Sequence, residues 1–402
     1  MSSLPTAPDL AGRAALGMLA SALLCYGAAA LGLMGWPLVV LFAAFLGCGL
    51  LSLAALRDGR VAIVVSIVAV LVVISLGSPG DDWDPRSIWL FHAKRIYLEG
   101  TLYSQLDDYA PWSHNDYPVL VPLLMASAAK LVGQWNELFP KAIAPLLLLP
   151  ALLLIGSSLR SRQWLALFVL GLLLMGGEML VNGYLDVAVA VYAVAALATA
   201  MRLREARGPL RAVDLLAFVL VIAVLSLLKN EGVVVAGVVV GFVLLEALVR
   251  ERHLHWKVAL AFVVAVLPLL AWMLAVNSAG VGNDLATTDM KAQAWARLSE
   301  QGGSALILKR LLVPEWVLLP LLVMAVMWRR SVRQPTVIVA ILAALAYGVV
   351  LYLVYLGTPH DLNWHLRTSV NRTLMPVMLL LVYALAVLMD RRTAQHRSTS
   401  VV

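Results

Sequence analysis

The sequence predicts an all-α fold, a polytopic transmembrane helix bundle. Hydrophobic residues make up 62% of the 402 residues and charged residues only 13%, whereas soluble domains carry about 25% charged residues. The mean hydropathy is +0.90. Many apolar runs are long enough to cross about 30 Å of hydrocarbon, which takes roughly 20 helical residues. The segments between these runs are too short to hold a soluble domain.

Twelve of the apolar runs are predicted to be full spans. The first starts near residue 14, behind the single Arg13, and the second follows at once, so we interpret it as a retained helix rather than a cleaved signal peptide. A thirteenth, shorter run at 118–133 contains two prolines and Lys130. The twelve predicted spans are 14–35, 37–56, 61–78, 140–157, 163–180, 184–201, 211–228, 231–249, 258–276, 311–328, 335–356 and 372–389.

The net charge of +7 is concentrated in the short connectors between spans. Lys and Arg in short loops mark the cytoplasmic face of a membrane protein, so the basic balance indicates topology and no nucleic-acid partner is expected. Cys25 and Cys48 lie within apolar runs, and no Cys/His spacing indicates a zinc site. The connectors predicted to be cytoplasmic are Arg57 and Arg60; Arg160 and Arg162; Arg202, Arg204, Arg207 and Arg211; Arg250 to Lys257; Arg329, Arg330 and Arg333; and the tail 391–402.

The segments that alternate with these connectors are predicted to lie on the opposite face, the periplasmic one in a bacterial inner membrane. If 79–117 is outside and 158–163 is inside, the stretch between them crosses an odd number of times. We therefore take 140–157 as the span and 118–133 as a partly inserted helix on the outer side, which gives about twelve spans with both termini in the cytoplasm; thirteen spans are the alternative. The predicted outer segments are 79–117, 181–184, 229–232, 277–306 and 357–371.

The first outer segment opens with DDWDPRSIWLFHAKRIY, residues 81–97. Asp82 and Asp84 precede a predicted amphipathic helix over 87–97. The aromatic side chains of this helix, including that of Trp89, are expected at headgroup depth. A solvated loop beside an aromatic belt is the plain alternative. Three acids at the mouth of one span exceed what anchoring requires, so the segment is a candidate site.

Four further segments place polar side chains at span edges on the same predicted face. Ionisable groups within spans are functional candidates, because a charge at the bilayer centre costs roughly 2.5 to 3.5 kcal/mol. Structural roles compete: Asp116 could cap a helix, and Lys229 could snorkel or pair locally. The segments are SHNDYPVLVPLL (113–124) with His114, Asp116 and Tyr117; NGYLDVAVAVY (182–192) with Asp186 about one turn inside a helix; LLKNEGVVV (227–235) with Lys229 and Glu231; and HDLNWHLRTSVNRTLMP (360–376) with Arg367 and Arg372.

The chemistry of these side chains favours attack on a phosphate-linked substrate at the membrane surface. Carboxylates can take a proton from a hydroxyl, and Lys and Arg suit a phosphate. A phosphate leaving group departs as a stable anion, so for such a substrate one base suffices where glycosidases need two carboxylates.

In their order along the chain, these segments resemble the bacterial branch of the GT-C integral membrane glycosyltransferases, relatives of protein O-mannosyltransferases and of the lipid A aminoarabinose transferase. The resemblance covers roughly 61–390 and leaves two N-terminal spans, within 1–60, ahead of the shared core. It rests on W-D-x-x-x-I-W-x-x-x-A-K from Trp83, H-x-D-Y-P-x-L-x-P-L-L from His114, Y-x-D from Tyr184, K-N-E-G from Lys229 and N-R-x-L-x-P from Asn371.

The resemblance implies an inverting enzyme that moves a sugar from a polyprenyl-phosphate donor to a glycan, lipid or protein acceptor at the periplasmic side. Asp84 would be the general base, with Asp82 as the alternative. Asp116 and Asp186 would orient acceptor or sugar, and the carboxylates leave a divalent cation as an open alternative. The implied phosphate-binding residues are Lys94, Lys229, Arg367 and Arg372, and the implied substrate-binding residues are His92, His114, Tyr117 and Glu231.

Two other classes of membrane protein compete with this interpretation. A secondary transporter also places charges in a helical bundle, but typically near the midplane, on broken helices of repeated halves, and the sequence has no evident repeat. A membrane sugar-polymer ligase or polymerase would have a large outer loop rich in Arg and His, whereas 277–306 and 357–371 are modest in length.

Overall fold

The computed structural model describes residues 7–205, 211–282, 290–299 and 302–399, and within them the chain is α-helical without a β-strand. The α-helices are α1 (Ala7–Ala30), α2 (Trp36–Leu51), α3 (Gly59–Gly77), α4 (Leu90–Glu99), α5 (Leu120–Val132), α6 (Leu138–Lys141), α7 (Ile143–Leu146), α8 (Leu148–Ser158), α9 (Arg162–Gly176), α10 (Asp186–Glu205), α11 (Ala212–Ser226), α12 (Asn230–Glu251), α13 (Trp256–Ser278), α14 (Met290–Ser299), α15 (Gly303–Leu311), α16 (Leu319–Val326), α17 (Trp328–Ser331), α18 (Pro335–Gly357), α19 (Leu362–Thr373) and α20 (Met375–Thr399).

Ten helices of the described residues are long and apolar enough to cross a membrane. They coincide with ten of the twelve predicted spans, which confirms the all-α, membrane-type bundle. The other two, predicted at 211–228 and 311–328, are shorter apolar helices, Ala212–Ser226 and Glu315–Val326. The ten are Asp9–Ala30, Trp36–Ala55, Gly59–Gly77, Leu138–Ser158, Arg162–Leu180, Asp186–Arg204, Asn230–Glu251, Trp256–Ser278, Pro335–Gly357 and Leu362–Asp390.

The predicted basic connectors meet at one end of the bundle. Side chains from three of them bond to neighbouring connectors: Arg60 Nη1 donates to the carbonyl of Leu159 at 2.9 Å, Arg202 Nη2 to Ser157 Oγ at 2.7 Å, and Arg250 Nη2 to the carbonyl of Val332 at 2.6 Å. We call this end the basic end. Connectors far apart in sequence therefore share one face, as the alternation of charge predicts.

Helix α11 crosses the bundle although it is short. At its start, Asp214 lies 3.8 Å from Arg202 at the basic end, and just beyond its end Lys229 reaches Asp186 at the start of α10. Its 15 residues rise about 22 Å. The helix at the predicted span 211–228 thus runs from one end of the bundle to the other, with the turn at 227–228 completing the distance.

Helix α10 is the centre of the bundle. In its apolar window 94% of the residues are buried, and it packs against α8, α11, α12 and α20. Its Ala- and Val-rich sequence lets four neighbours approach closely, since small side chains allow tight helix packing in membranes. Asp186 is its first residue, which corrects the expectation that Asp186 lies a turn inside the helix and places this acid at the helix end.

Helices α4 and α5 pack side by side. The Trp89 and Tyr117 rings stack 5.7 Å apart before the two helices begin, and Lys130 lies 5.7 Å from the ring of Tyr97 at their far ends. Both ends of α5 thus stay beside α4. The predicted amphipathic helix is present as α4, but Trp89 is fully buried. Its ring packs in the protein core and not against lipid headgroups, which corrects the interfacial role expected of it.

Candidate functional site

A buried ion pair joins α10 to the break before α12, at the end of the bundle opposite the basic end. Lys229 Nζ donates to Asp186 Oδ1 at 3.0 Å, and the two side chains are only 6% and 4% exposed. Lys229 Nζ also lies 3.6 Å from a Glu231 carboxylate oxygen. The two segments that the sequence analysis singled out separately, NGYLD and KNEG, therefore form one charged centre.

The break before α12 depends on Gly232. Lys229 has an extended backbone (φ −156°, ψ 161°) between the end of α11 and the first turn of α12. At Gly232 a Cβ atom would overlap the backbone carbonyl oxygen of Leu225 in α11. A residue without a side chain therefore lets the first turn of α12 approach α11, and this approach directs Lys229 and Glu231 toward α10.

Arg372 brings a third segment to the same centre from the last turn of α19. Its Nη1 donates to Asp84 Oδ2 at 2.5 Å and lies 4.0 Å from Asp186 Oδ2. Its guanidinium carbon is 5.0 Å from the centroid of the Tyr184 ring, a cation–π arrangement. Asp84 is buried, so the arginine is held between two carboxylates and an aromatic face.

The other two predicted acids pair with amides. Asn182 donates to Asp82, and Asn230 Nδ2 donates to Asp116 Oδ2 at 2.5 Å. Asn182 and Asn230 lie in the quoted motifs NGYLD and KNEG, yet the sequence analysis chose only the charged members. The alternative role of Asp116 as a helix cap does not apply, because α5 is preceded by Val119 as its N-cap residue.

A pocket with about 220 Å³ of empty space opens beside this centre. Two carboxylate oxygens at this centre, Asp186 Oδ2 and Glu231 Oε2, are buried without a hydrogen-bond partner among the described residues. Buried polar atoms are nearly always hydrogen-bonded, so such atoms call for a ligand or water. The pocket is lined by Asp186, Val189, Lys229, Glu231, Tyr347, Arg372, Thr373 and Pro376.

Lys141, which the sequence analysis did not select, holds the two acid-bearing loops together. It is 1% exposed, and its Nζ donates to the backbone carbonyl of Ser78 at the end of α3, where the helix dipole favours a cation. Its stem fills the space that side chains at Gly80 and Gly183 would occupy. Gly183 also has φ +99°, a conformation that favours glycine. Lys141 therefore holds the loop that carries Asp82 and Asp84 against the loop that leads to Asp186.

The predicted aromatic substrate-binding residues form a stack behind the charged centre. The ring of Tyr117 lies 4.9 Å from that of His114, and Lys229 Nζ is 5.7 Å from the Tyr117 centroid. Burial raises the pKa of Tyr117 well above its ordinary value, so its hydroxyl stays protonated. Tyr117 is thus in contact with the centre through Lys229.

His92 lies in the interior of the loop and not at the pocket. It is fully buried, and its Nε2 is 3.1 Å from Ser113 Oγ. Burial lowers the pKa of His92 to about 3, so the ring is neutral. His92 therefore supports the loop around Ser113.

The remaining two predicted phosphate-binding residues, Lys94 and Arg367, are exposed. Neither forms an ion pair among the described residues. Arg367 is on the same helix as Arg372, but the five-residue spacing turns the two side chains to different faces. The cations at the centre are thus Lys229 and Arg372.

Fold and site together define an all-α integral membrane protein with a charged pocket at one end of its bundle. Within the described part of the chain, no three His, Cys, Asp or Glu side chains converge as metal ligands would. Comparisons with protein-family models, with curated proteins and with solved structures find no match to this chain.

Proposed function

We propose that this protein is an inverting membrane glycosyltransferase of the GT-C type, which transfers a sugar from a polyprenyl-phosphate donor to the hydroxyl group of a glycan, lipid or protein acceptor. The observation that carries the proposal is that Asp186, Lys229 and Arg372 line one pocket and that Asp84 joins them through its bond to Arg372. A proton acceptor and two cations are the groups that such a transfer needs.

In the proposed reaction, Asp84 takes the proton of the acceptor hydroxyl while the acceptor oxygen forms a bond to the anomeric carbon of the sugar. The bond from that carbon to the phosphate oxygen breaks, and polyprenyl phosphate leaves with the electron pair. Arg372 and Lys229 stabilise the charge that develops on the leaving phosphate. Displacement from the opposite side of the sugar inverts the anomeric carbon.

The resting ion pair between Asp84 and Arg372 gives the donor a role in activating the base. While Arg372 Nη1 is bonded to Asp84 Oδ2, that carboxylate oxygen is occupied by the arginine and is not free to accept the proton of the acceptor hydroxyl. A donor phosphate competes with Asp84 for the guanidinium, because phosphate and carboxylate both bind Arg through its N–H groups. Donor binding would therefore release Asp84 for the acceptor hydroxyl.

The place of the pocket supports an active site away from the cytosol. Positive residues in short loops mark the cytoplasmic side, and the charged centre lies at the end of the bundle opposite the basic end. In a bacterial inner membrane the pocket would therefore face the periplasm, where a membrane-held donor and an aqueous or lipid acceptor can meet.

The test is transfer from labelled polyprenyl-phosphate sugars by purified protein in detergent. A panel of hexosyl and pentosyl donors is needed, and release of polyprenyl phosphate is measured together with labelled product. Asp84→Asn should lower turnover at least about a hundredfold, as expected for loss of a general base. Asp81→Asn is the matched control, since Asp81 is an exposed acid of the same loop and its replacement should leave turnover unchanged. Full turnover by folded Asp84→Asn protein would refute the assignment of the base.

A secondary transporter remains the competing class for this fold. It would show uptake of a substrate into proteoliposomes without cleavage of any donor. The Asp186–Lys229 pair lies at helix ends, Asp186 at the start of α10 and Lys229 just before α12, whereas transporter sites typically lie near the bilayer midplane. This position favours the transferase.

A further inference from the structure

A second polar pocket lies at the basic end, across the bundle from the charged centre. It has about 1090 Å³ of empty space and is formed by the ends of α8 and α10, the starts of α11 and α18, and the middle of α20. Three of its lining residues are arginines, Arg160, Arg202 and Arg211. The proposed transfer reaction gives this pocket no role.

The arginines exceed the acids that face them. Asp214 accepts from Arg211 Nε at 2.8 Å and lies 3.8 Å from Arg202 Nη1. Asp390, the other acid of the pocket, accepts hydrogen bonds from the backbone N–H groups of Arg160 and Ser161 at 2.9 and 2.8 Å. The Arg160 side chain forms no ion pair among the described residues, so a guanidinium remains for an external anion.

The inner wall of the pocket is apolar, and the outer part is polar. Ala198, Met201 and Val387 line it from the sides of α10 and α20, where these helices run into the membrane. Tyr383, whose hydroxyl is 2.8 Å from Ser158 Oγ, gives the wall a neutral polar group. A ligand that fits has a negatively charged head and an apolar part that packs against this wall.

We propose that this pocket binds the phosphate ester of an anionic phospholipid, with the phosphate at Arg160 and Arg202 and the glycerol and acyl parts against the apolar wall. Basic pockets between transmembrane helices on the cytoplasmic side suit lipid headgroups, and Arg binds phosphate through two parallel N–H donors. A soluble phosphate monoester shares the headgroup chemistry but has no group for the apolar wall. The inference rests on the basic-end pocket and does not depend on the proposed transfer reaction.

Binding is measured by native mass spectrometry of the full chain in detergent with dioctanoyl phosphatidylglycerol. Each charge-assisted hydrogen bond contributes about a tenfold change in affinity. The Arg160→Gln/Arg202→Gln variant should therefore bind this lipid about a hundredfold more weakly. Arg329→Gln/Arg330→Gln removes two exposed arginines of the predicted basic connectors that do not line the pocket, and it should bind like the unchanged protein.

Two further measurements distinguish a phospholipid from a soluble phosphate ester as the ligand. Glycerol 3-phosphate should fail to displace the lipid, and dioctanoyl phosphatidylcholine should bind more weakly because it has no net negative charge. Equal loss in both arginine variants would mean attraction to the whole basic face and would overturn the proposal. Displacement by glycerol 3-phosphate at equal concentration would overturn the lipid assignment. Undiminished binding by a folded Arg160→Gln/Arg202→Gln protein would overturn the site.

Discussion

Arg372 Nη1 bonds to Asp84 Oδ2 at 2.5 Å, although the two residues are 288 positions apart in the chain. The contact ties the last turn of α19 to the loop after α3, so it closes the bundle around the charged centre. It also places the proposed base and the proposed phosphate ligand in one unit, which means that substitutions of either residue affect both stability and activity.

Substitution of both members of this pair should cost less than the sum of the single substitutions. The side chains are 21% and 10% exposed, and removal of one partner of a buried pair leaves the other charge uncompensated, at about 3 kcal/mol. We expect Asp84→Asn and Arg372→Gln each to lower the thermal midpoint in detergent. The double variant should recover about 1 to 3 kcal/mol of the summed loss.

The control for this double-mutant cycle is Arg367→Gln, because Arg367 is an exposed cation on the same helix. Combined with Asp84→Asn it should give additive midpoint shifts. Additive shifts for Asp84 and Arg372 themselves would mean that the two side chains do not interact in the folded protein.

Lys229 should matter for donor binding more than any cation of the basic end. Lys229→Met should weaken binding of a polyprenyl phosphate about ten- to a hundredfold, because a charge-assisted hydrogen bond to the phosphate is lost. Lys257→Met removes an exposed lysine near the basic end and serves as the charge-matched control. Lipid binding can be followed by titration in detergent, and equal affinities of the two variants would exclude Lys229 as a phosphate ligand.

The fold was largely predictable from two signals. The hydropathy of each segment indicates whether it is stable in lipid, and the charge of the connectors indicates the direction in which each span runs. Ten long spans follow from these two signals. The lengths of α11 and α16 do not follow from these signals, because each helix ends where its packing allows and not where the apolar run ends. Trp89 was misplaced for a related reason: an aromatic ring beside a span can belong to the interface or to the core, and only its stacking on Tyr117 decides.

The sequence predicted the charged residues of the site but not the contacts between them. Asp84, Asp186, Lys229 and Arg372 carry a burial cost that makes each conspicuous near a membrane. Asn182 and Asn230 carry no such cost, and a loop asparagine is ordinary in sequence, so their bonds to Asp82 and Asp116 appear only in three dimensions. Lys141 lies at the edge of an apolar run, where snorkelling is the usual expectation. Its direction toward Ser78 is set by the fold.

The stability of the protein should depend on pH through His92. The ordinary pKa of histidine is 6.5, and burial lowers the pKa of His92 to about 3. Between these values the unfolded chain binds a proton that the folded chain does not, so the free energy of unfolding falls as the pH drops from 6.5 toward 3. Above pH 6.5 this contribution is fully present.

His92→Gln removes the titrating group, so the thermal midpoint should fall less between pH 7 and pH 5 than it does for the unchanged protein. His253→Gln replaces an exposed histidine of a basic connector and should leave the pH dependence as it is. The same slope for all three proteins would show that His92 does not stay neutral in the fold.

Gly232→Ala should disrupt the charged centre without a change of charge. The new Cβ would overlap the carbonyl oxygen of Leu225, which is backbone and cannot rotate away, so the first turn of α12 must shift and move Lys229 from Asp186. Overpacking of this kind typically costs about 1 to 3 kcal/mol.

Gly241→Ala is the matched control, because Gly241 is in the same helix and its Cβ would meet no atom within 4 Å. Since alanine is the better helix former, Gly241→Ala should keep or raise the thermal midpoint, whereas Gly232→Ala should lower both the midpoint and donor turnover. If the two alanine variants behave alike, the close approach of α12 to α11 does not position Lys229.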